Sequence, residues 1–396
     1  MDPIADGVGR TGTGFAPPHP LIERARSLVP LLDSAGPRIE AARELPPDVL
    51  EALFEADLFR VLLPRSLGGA ELALRDFVEL TETVARGDAS TAWCLCQGAV
   101  SAMSVATYLE PAVTAELFDG PRAVLAWGAR HDRARAVPVE GGHRITGEWG
   151  FASGSRHARL LGAHIPMVQP DGSVKDRTFV FPRSSARIID DWQVVGLRGT
   201  GSDSYAVEDL FVPLSRSCVR DDITPRTQPG PLYRLNSHLM YAAGFAGVAL
   251  GIARGLLDRV LAVARDRRPR GLPVAMRDNP AVQGHLARLE ARWRAARAGL
   301  HAAIGEIWAG LTCGQEPSLD QRMALRLAAT HAINEATEVS VASYRAAGTG
   351  AVLESQPFER RFRDACAASQ HLQGRPEHYE MVGRHLLGVE QEAQFI

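Results

Sequence analysis

The sequence predicts an α+β protein. A flexible tail of residues 1–20 is followed by an N-terminal helical domain over 21–119, a central antiparallel β-barrel domain over 120–225 and a C-terminal four-helix bundle over 226–396. Three observations carry that reading. Apolar residues recur three and four apart up to about Asp119; near Pro121 the pattern changes to short alternating runs rich in Val, Ile and Phe; from about Asn236 long Ala-, Leu- and Arg-rich helical runs continue to the end. With 396 residues, 45% of them hydrophobic and 23% charged, the chain has enough apolar material for large shared cores, and neither disorder nor a fibre describes it.

Each element follows from its local grammar. The tail, MDPIADGVGRTGTGFAPPHP, carries acidic residues and no uninterrupted apolar core, so it reads as a loose segment rather than a signal peptide, and a cytosolic protein is expected. Helices are expected over LIERARSLVPLLDSAGPRIEAA, over PPDVLEALFEADLF with proline at its start, and over LRDFVELTETVARGD; VLLPRSLGGAEL breaks the last two apart. Strands are expected in RAVLAWG, HRITGEWGFASG, RTFVFPR, ARIIDDWQVVG and SYAVEDLFVP, with Gly, Asp and Ser turns between them. The apolar run from Tyr241 meets Arg254 too early to span a bilayer and reads as a buried helix. Near the end, His371, His378 and His385 recur every seventh residue, a spacing that would stack them on one face of a straight helix. Pro376 forbids a single helix, because it removes a backbone donor and pushes Arg375 into extended geometry. His371 therefore belongs to a helix end or the loop after it.

Composition and motifs exclude several functions. The net charge of -2, from 44 basic and 46 acidic residues, gives no electrostatic reason to bind nucleic acid. Five cysteines, with Cys94 and Cys96 flanking one leucine, offer no metal spacing and fit a reducing compartment. Gly12-Thr-Gly14, Gly199-Thr-Gly201 and Gly348-Thr-Gly350 each lack the strand-to-helix context of a dinucleotide fingerprint, and neither GxSxG nor HExxH occurs. Two features remain. Phe151-Ala152-Ser153-Gly154 ends a strand with a hydroxyl and accessible backbone donors, suited either to a cofactor edge or to an ordinary turn. Arg265, Arg267, Arg268 and Arg270 cluster near a helix end, suited either to a phosphate or to a solvated face.

Taken in order, GEWGFASG, VVGLRGTGSDSYAVEDLFVP, AGVALGIARGLLDRVLAVARDRRPRGLPV and PFERRFRDACA resemble the acyl-CoA dehydrogenase superfamily over nearly the whole chain after the tail. Two departures stand out. Where many dehydrogenases carry the glutamate that removes the substrate's α-proton, this chain reads His371-Leu372-Gln373-Gly374; where the family has a Gln-Phe pair serving the dinucleotide half of FAD, it has Pro269-Arg270. GDASTAW (Gly87 to Trp93), FASG and ASQH followed by GRHLLG resemble a branch of that superfamily, the two-component FMNH2-dependent monooxygenases such as 4-hydroxyphenylacetate hydroxylase oxygenase components and polyketide hydroxylases. Some phenol hydroxylases of the branch carry a further histidine beyond the tryptophan matching Trp93, and CLCQGAVSAMSV here has none.

The resemblance implies a specific chemistry. Reduced FMN, supplied by a separate NAD(P)H flavin reductase, reacts with O2 to give a C4a-hydroperoxide that hydroxylates an aromatic or polyketide-like small molecule; FAD is the less expected flavin. His371 is expected to hydrogen-bond the peroxide or take a phenol proton, with a pKa near neutrality. Ser153, with Phe151, Ala152 and Trp127, is expected beside the flavin ring, and Arg267 and Arg270 at its phosphate across a subunit boundary. Trp93, Gln97, His238 and Tyr241 are expected in the substrate pocket, with core packing as the equal rival for Trp93. The resemblance further implies a homotetramer, and no metal, nucleic acid or membrane is expected. Alternatives are an FAD-dependent acyl-CoA dehydrogenase, a relative that oxidises nitrogen or sulfur, and a flavin-free binding protein on the same fold.

Overall fold

The computed structural model describes residues 19–169, 172–220, 226–269 and 274–389. The tail expected to be flexible falls, up to residue 18, outside the described residues, as does Arg270. The helical first part comprises α1 (Pro20–Ala42), α2 (Pro47–Glu55), α3 (Leu74–Gly87), α4 (Ala89–Tyr108) and α5 (Pro111–Leu117). Pro47 opens α2 at its first position, where the missing N–H is no loss. Asp88 caps α4, its Oδ1 accepting from Thr91 N at 2.7 Å and from the Thr91 hydroxyl at 2.8 Å. GDASTAW is thus the sequence of a helix start. α4 is buried along its whole length, from Ala89 to Thr107.

The central strands are β1 (Leu125–Trp127), β2 (Arg130–Val139), β3 (Gly142–Gly150), β4 (Leu160–Val168), β5 (Val174–Pro182), β6 (Arg187–Ile189), β7 (Ser204–Pro213) and β8 (Ser217–Val219). The expected antiparallel barrel does not close among the described residues. Two four-stranded sheets form instead, ordered β1-β4-β5-β8 and β2-β3-β7-β6, and β1 pairs with β4 in parallel. Closure needs a continuous ladder, and three of the four edge strands, β1, β6 and β8, are only three residues long. Ile145, Trp149, Leu161, Phe179 and Tyr205 fill the core between the sheets. On β1 the pleat divides the side chains: Ala126 joins that core, whereas Leu125 and Trp127 join the helical one.

α6 (Ser237–Asp266), α7 (Pro280–Thr312), α8 (Leu319–Ala347) and α9 (Phe358–Ser369) pack on one another as the expected four-helix bundle, and α10 (Glu377–Leu386) lies against α8. α6 is the one helix among the described residues long and apolar enough to cross a bilayer, and that apolar window is buried throughout inside the protein. Glycine makes this possible. A Cβ on Gly251 would stand 2.2 Å from the carbonyl oxygen of Glu82, so α3 and α6 touch backbone to backbone only because residue 251 has no side chain. α6 thereby joins the N-terminal helices and the bundle around a shared core, and α4 links that core to β1 and β8.

Candidate active site

Five of the residues singled out from sequence meet at one place. α4 contributes Trp93 and Gln97, α6 contributes Tyr241, the turn after β3 contributes Ser153, and the segment after α9 contributes His371. The Trp93 indole is the hub. Its Nε1 donates to Ser153 Oγ at 3.1 Å, and its ring meets His371 edge-on at 5.1 Å between centroids. Phe245, one turn beyond Tyr241 on α6, lies 4.1 Å from Trp93 and 4.4 Å from His371. Tyr241 stacks on Phe245 at 5.7 Å and accepts from Gln97 Nε2 at 3.1 Å. Sequence reasoning passed over Phe245, although its helical spacing from Tyr241 places both on one face.

His371 is the N-cap of a short 3-10 turn, Leu372–Gly374, and not part of α9. Arg375 is extended (ψ 139), as the following Pro376 requires. The turn is clamped from both sides. Arg326, Thr330 and Asn334, four residues apart along α8, hold the Gln373 side chain, the Gln373 carbonyl and the Gly374 carbonyl. From α10, His378 Nε2 donates to Leu372 O at 2.8 Å, while His385 is occupied elsewhere with Asp320. The three evenly spaced histidines therefore have three separate tasks.

The expectation of a near-neutral pKa for His371 is corrected. Burial, helped by the charge of Arg375, depresses it from 6.5 to about 3, so the ring is neutral. Its Nδ1 accepts from Gln373 N at 3.3 Å, which assigns the ring hydrogen to Nε2. His371 thus offers an N–H donor.

Ser153 belongs to a directed relay. The Thr200 hydroxyl donates to Leu197 O at 2.8 Å, so toward Ser202, 2.7 Å away, it can only accept. Ser202 has then used its hydrogen, and in the 2.7 Å contact with Ser153 the donor is Ser153. Ser153 donates to Ser202 and accepts from Trp93, which leaves one lone pair and no hydrogen for anything else. Toward any further partner its hydroxyl therefore offers an acceptor and no donor. The Gly199-Thr-Gly201 stretch, rejected as a nucleotide motif, supplies this relay: a Cβ on Gly199 would stand 2.1 Å from the Ile39 methyl, so only glycine lets the loop seat against α1. The loop is tied to α9 as well, since Asp364 Oδ1 accepts from Leu197 N at 2.7 Å. Burial and the neighbouring Asp88 raise the Asp364 pKa from 3.8 to about 7.

The remaining predicted residues lie apart. Ala152 is buried, and Phe151 is 54% exposed in a left-handed conformation (φ 63) with the edge of Trp192 against it. Trp127 sits edge-on to His164 at 4.7 Å; His238, at the start of α6, is close enough to His164 to bear on its charge. Arg267 donates to the Ala347 carbonyl at the end of α8. It stands 26 residues along or just past α6 from Tyr241, about 39 Å of helix rise. It shares no cleft with His371 in its own chain, and a cofactor role for it requires a second protomer.

Two family descriptions match: acyl-CoA dehydrogenase, N-terminal domain, over residues 32–117, and acyl-CoA dehydrogenase, C-terminal domain, over 243–376. The chain is 33% identical to indole-3-acetate monooxygenase of Pseudomonas putida over 331 residues, covering 83% of this chain and 84% of that protein. It is 27% identical to the flavin-dependent monooxygenase oxygenase subunit HsaA of Rhodococcus jostii (strain RHA1), covering 93% and 98%. The crystal structure of 3-HSA hydroxylase from Rhodococcus sp. RHA1 superposes with a TM-score of 0.88 at 26% identity, covering 96% of this chain and 99% of that one.

Proposed function

The chain belongs to the acyl-CoA dehydrogenase superfamily and is a flavin-dependent monooxygenase, and we propose that it hydroxylates an aromatic small molecule with reduced FMN delivered by a separate reductase. The observation that carries the proposal is the Trp93 indole, which touches both the Ser153 hydroxyl and the His371 ring. One buried side chain sets the spacing between the cofactor edge and the group that faces the oxidant.

When bound, the reduced flavin activates O2 and supplies the oxygen atom that enters the substrate. The donor set suits the reduced form. Ser153 Oγ has an acceptor lone pair and no free hydrogen, which fits a ring nitrogen that carries hydrogen, as N5 of a reduced flavin does. Phe151 is held outward at the same turn as an apolar surface for a ring system. His371, neutral and with its hydrogen on Nε2, donates a hydrogen bond to the oxygen being transferred; taking a phenol proton would require the other tautomer and would break the bond from Gln373 N. Trp93, Phe245 and Tyr241 exclude water around it.

A dehydrogenase needs a carboxylate base. None of Trp93, Gln97, Ser153, Tyr241, Phe245 and His371 is one, and Leu372 occupies the family's base position. The chain lacks a dinucleotide fingerprint, so electrons arrive from outside, in keeping with relatives described as an oxygenase subunit or component. Pro269 in place of the pair serving the dinucleotide half supports FMN, although a 27% identical relative from Rhizobium is named an FADH(2)-dependent resorcinol hydroxylase. The remoteness of Arg267 supports a homotetramer in which it reaches a neighbour's cofactor.

The test is isotopic. Purified protein, photochemically reduced FMN and 18O2 are mixed with indole-3-acetate or resorcinol, and the product is weighed. Incorporation of one labelled oxygen is expected; reduction of oxidised flavin by an acyl-CoA, with no labelled product from either aromatic, would overturn the proposal.

A further inference from the structure

Arg220 follows β8 and is half-buried, yet its partners are not carboxylates. Nε donates to Thr178 Oγ1 at 2.7 Å, Nη1 donates to Ser237 Oγ at 3.2 Å, and the guanidinium lies over the Trp127 ring, 4.8 Å from its centroid. Arg297, also half-buried, and Arg254, which is buried, pair with Glu82 and Glu290. No ion pair holds Arg220 among the described residues. The ionisable groups that bear on its neighbour His164 are basic too: burial first, then Arg220, His131 and His238, push the His164 pKa well below 6.5. A guanidinium that hydroxyls and an aromatic ring hold, with no ion pair among the described residues, is an arrangement that an anionic ligand completes.

The free part of the guanidinium is its most useful part. Of five N–H donors, two are committed to hydroxyls, which leaves three on the Nη1/Nη2 fork. Contact with the Trp127 ring and the two hydroxyls restrains that fork, and an arginine fork can bind a carboxylate with two parallel hydrogen bonds.

The position joins this fork to the proposed active site. Ser237, its hydroxyl partner, is one turn of α6 from Tyr241, and His238, Tyr241 and Phe245 follow at spacings of three and four on one face, about 10 Å from first to last. Phe245 touches His371. Along that face, one end presents a hydrogen-bond donor to an oxidant and aromatic rings to a substrate ring; the other presents the Arg220 cation, which has no ion pair among the described residues.

Resting on the monooxygenase reading above, we propose that Arg220 binds the carboxylate of the substrate, so that the substrate class is an aromatic acid, its ring held toward Phe245 and His371 by the acid group anchored at the mouth of α6. Arg220 is then a specificity-determining residue, with Trp127 as its support.

Indole-3-acetate and indole-3-acetamide have nearly the same shape, but the amide lacks the charge and replaces one acceptor oxygen with a donor, and the pair serve as probes. With wild type, calorimetric titration is expected to show the acid bound at least tenfold more tightly than the amide. Arg220→Gln should abolish that preference, leaving amide affinity unchanged; Arg220→Lys should restore part of it, as a point charge without the fork. In turnover the loss should fall on KM and not on kcat. Equal wild-type affinity for acid and amide, no binding of either, or an equal loss of both in Arg220→Gln would overturn the proposal. So would a loss of FMN affinity relative to riboflavin in Arg220→Gln with the acid preference intact, because the anion would then be the cofactor's phosphate. Labelled oxygen entering the amide while the acid has no advantage would sink this inference and leave the monooxygenase reading standing.

Discussion

Replacing His371 with alanine should separate oxidant formation from oxidant use. The depression of the His371 pKa from 6.5 to about 3 places up to about 5 kcal/mol against the imidazolium, so at pH 7 about one molecule in ten thousand carries it. A proton delivered from a pre-charged imidazole is too scarce to sustain catalysis, whereas the Nε2 hydrogen of the neutral ring is present in every molecule. Losing one such donor where charge develops reduces rates on the order of a hundred- to a thousandfold. His371→Ala should therefore cut hydroxylated product by about that factor while O2 is still consumed and leaves as hydrogen peroxide. The fold should persist, because Arg326, Thr330, Asn334 and His378 hold the turn without it. His371→Asn, which keeps an N–H on a shorter side chain, should recover part of the product yield. The assay is the ratio of product to peroxide from reduced FMN in air, measured from pH 5 to 8, with imidazole 15N shifts recorded alongside. An unaltered ratio in the alanine variant, or a His371 ring that titrates between pH 5 and 7 in the protein, would refute the neutral-donor reasoning.

Three further outcomes are expected. Trp93→Phe keeps the aromatic contact with His371 and removes the donor to Ser153; it should cost about 1 kcal/mol in urea unfolding and raise peroxide release, and unchanged coupling would mean that the indole only fills space. Arg267→Ala should weaken FMN binding by roughly 1.5–3 kcal/mol if the proposed tetramer forms, and wild type should bind FMNH2 more tightly than FADH2; a stable monomer in light scattering with unchanged FMN affinity would remove the cross-subunit role. Asp364 is buried with its pKa raised to about 7, so the folded state holds its proton more tightly than the unfolded chain. That contribution is present below about pH 4 and is lost as pH rises to about 7, a span worth up to about 4 kcal/mol. Asp364→Asn keeps an acceptor for Leu197 N and should flatten the decline in the urea midpoint between pH 5 and 8; equal declines in variant and wild type would contradict the assignment.

What the sequence revealed tracked how local the cause was. β7 was readable from Ser204 to Pro213 because its alternation is a local property. β2 was missed: Arg130, Arg133 and Arg135 interrupt any apolar period, and its strand character comes from pairing with β3. The run ARIIDDWQVVG reads as a strand but pairs over only three residues, after which Asp191 and Asp203 fix the chain through side-chain bonds. α1 continues through Pro30 and Pro37, against the local rule, because its buried face, from Leu21 to Ile39, is fixed by the shared core. At the site, Pro376 announced that His371 leaves its helix. Its lost basicity was not legible, since the desolvation comes from Trp93 and Phe245, 278 and 126 residues away in sequence. Arg220 escaped notice for the same reason: an arginine becomes unusual only when its neighbours prove to be hydroxyls and histidines.

The site's hydrogen bonds and ring contacts form a path that begins on α9 and ends just beyond it. Asp364 holds Leu197, Leu197 holds Thr200, and Ser202, Ser153 and Trp93 follow in turn to the His371 ring, seven residues beyond Asp364. Each hydroxyl in it has its hydrogen already assigned, running from Ser153 through Ser202 and Thr200 to a carbonyl that cannot pass it on. A proton could travel this path only by reversing all three hydroxyls at once, against the Thr200 to Leu197 bond that sets their sense. The path therefore holds positions and does not conduct. Its effect is to make the acceptor lone pair of Ser153 and the N–H of His371 two ends of one rigid spacing, measured across the Trp93 indole. Preorganised placement of this kind is what a reaction needs when its oxidant decays to peroxide unless it meets the substrate in register.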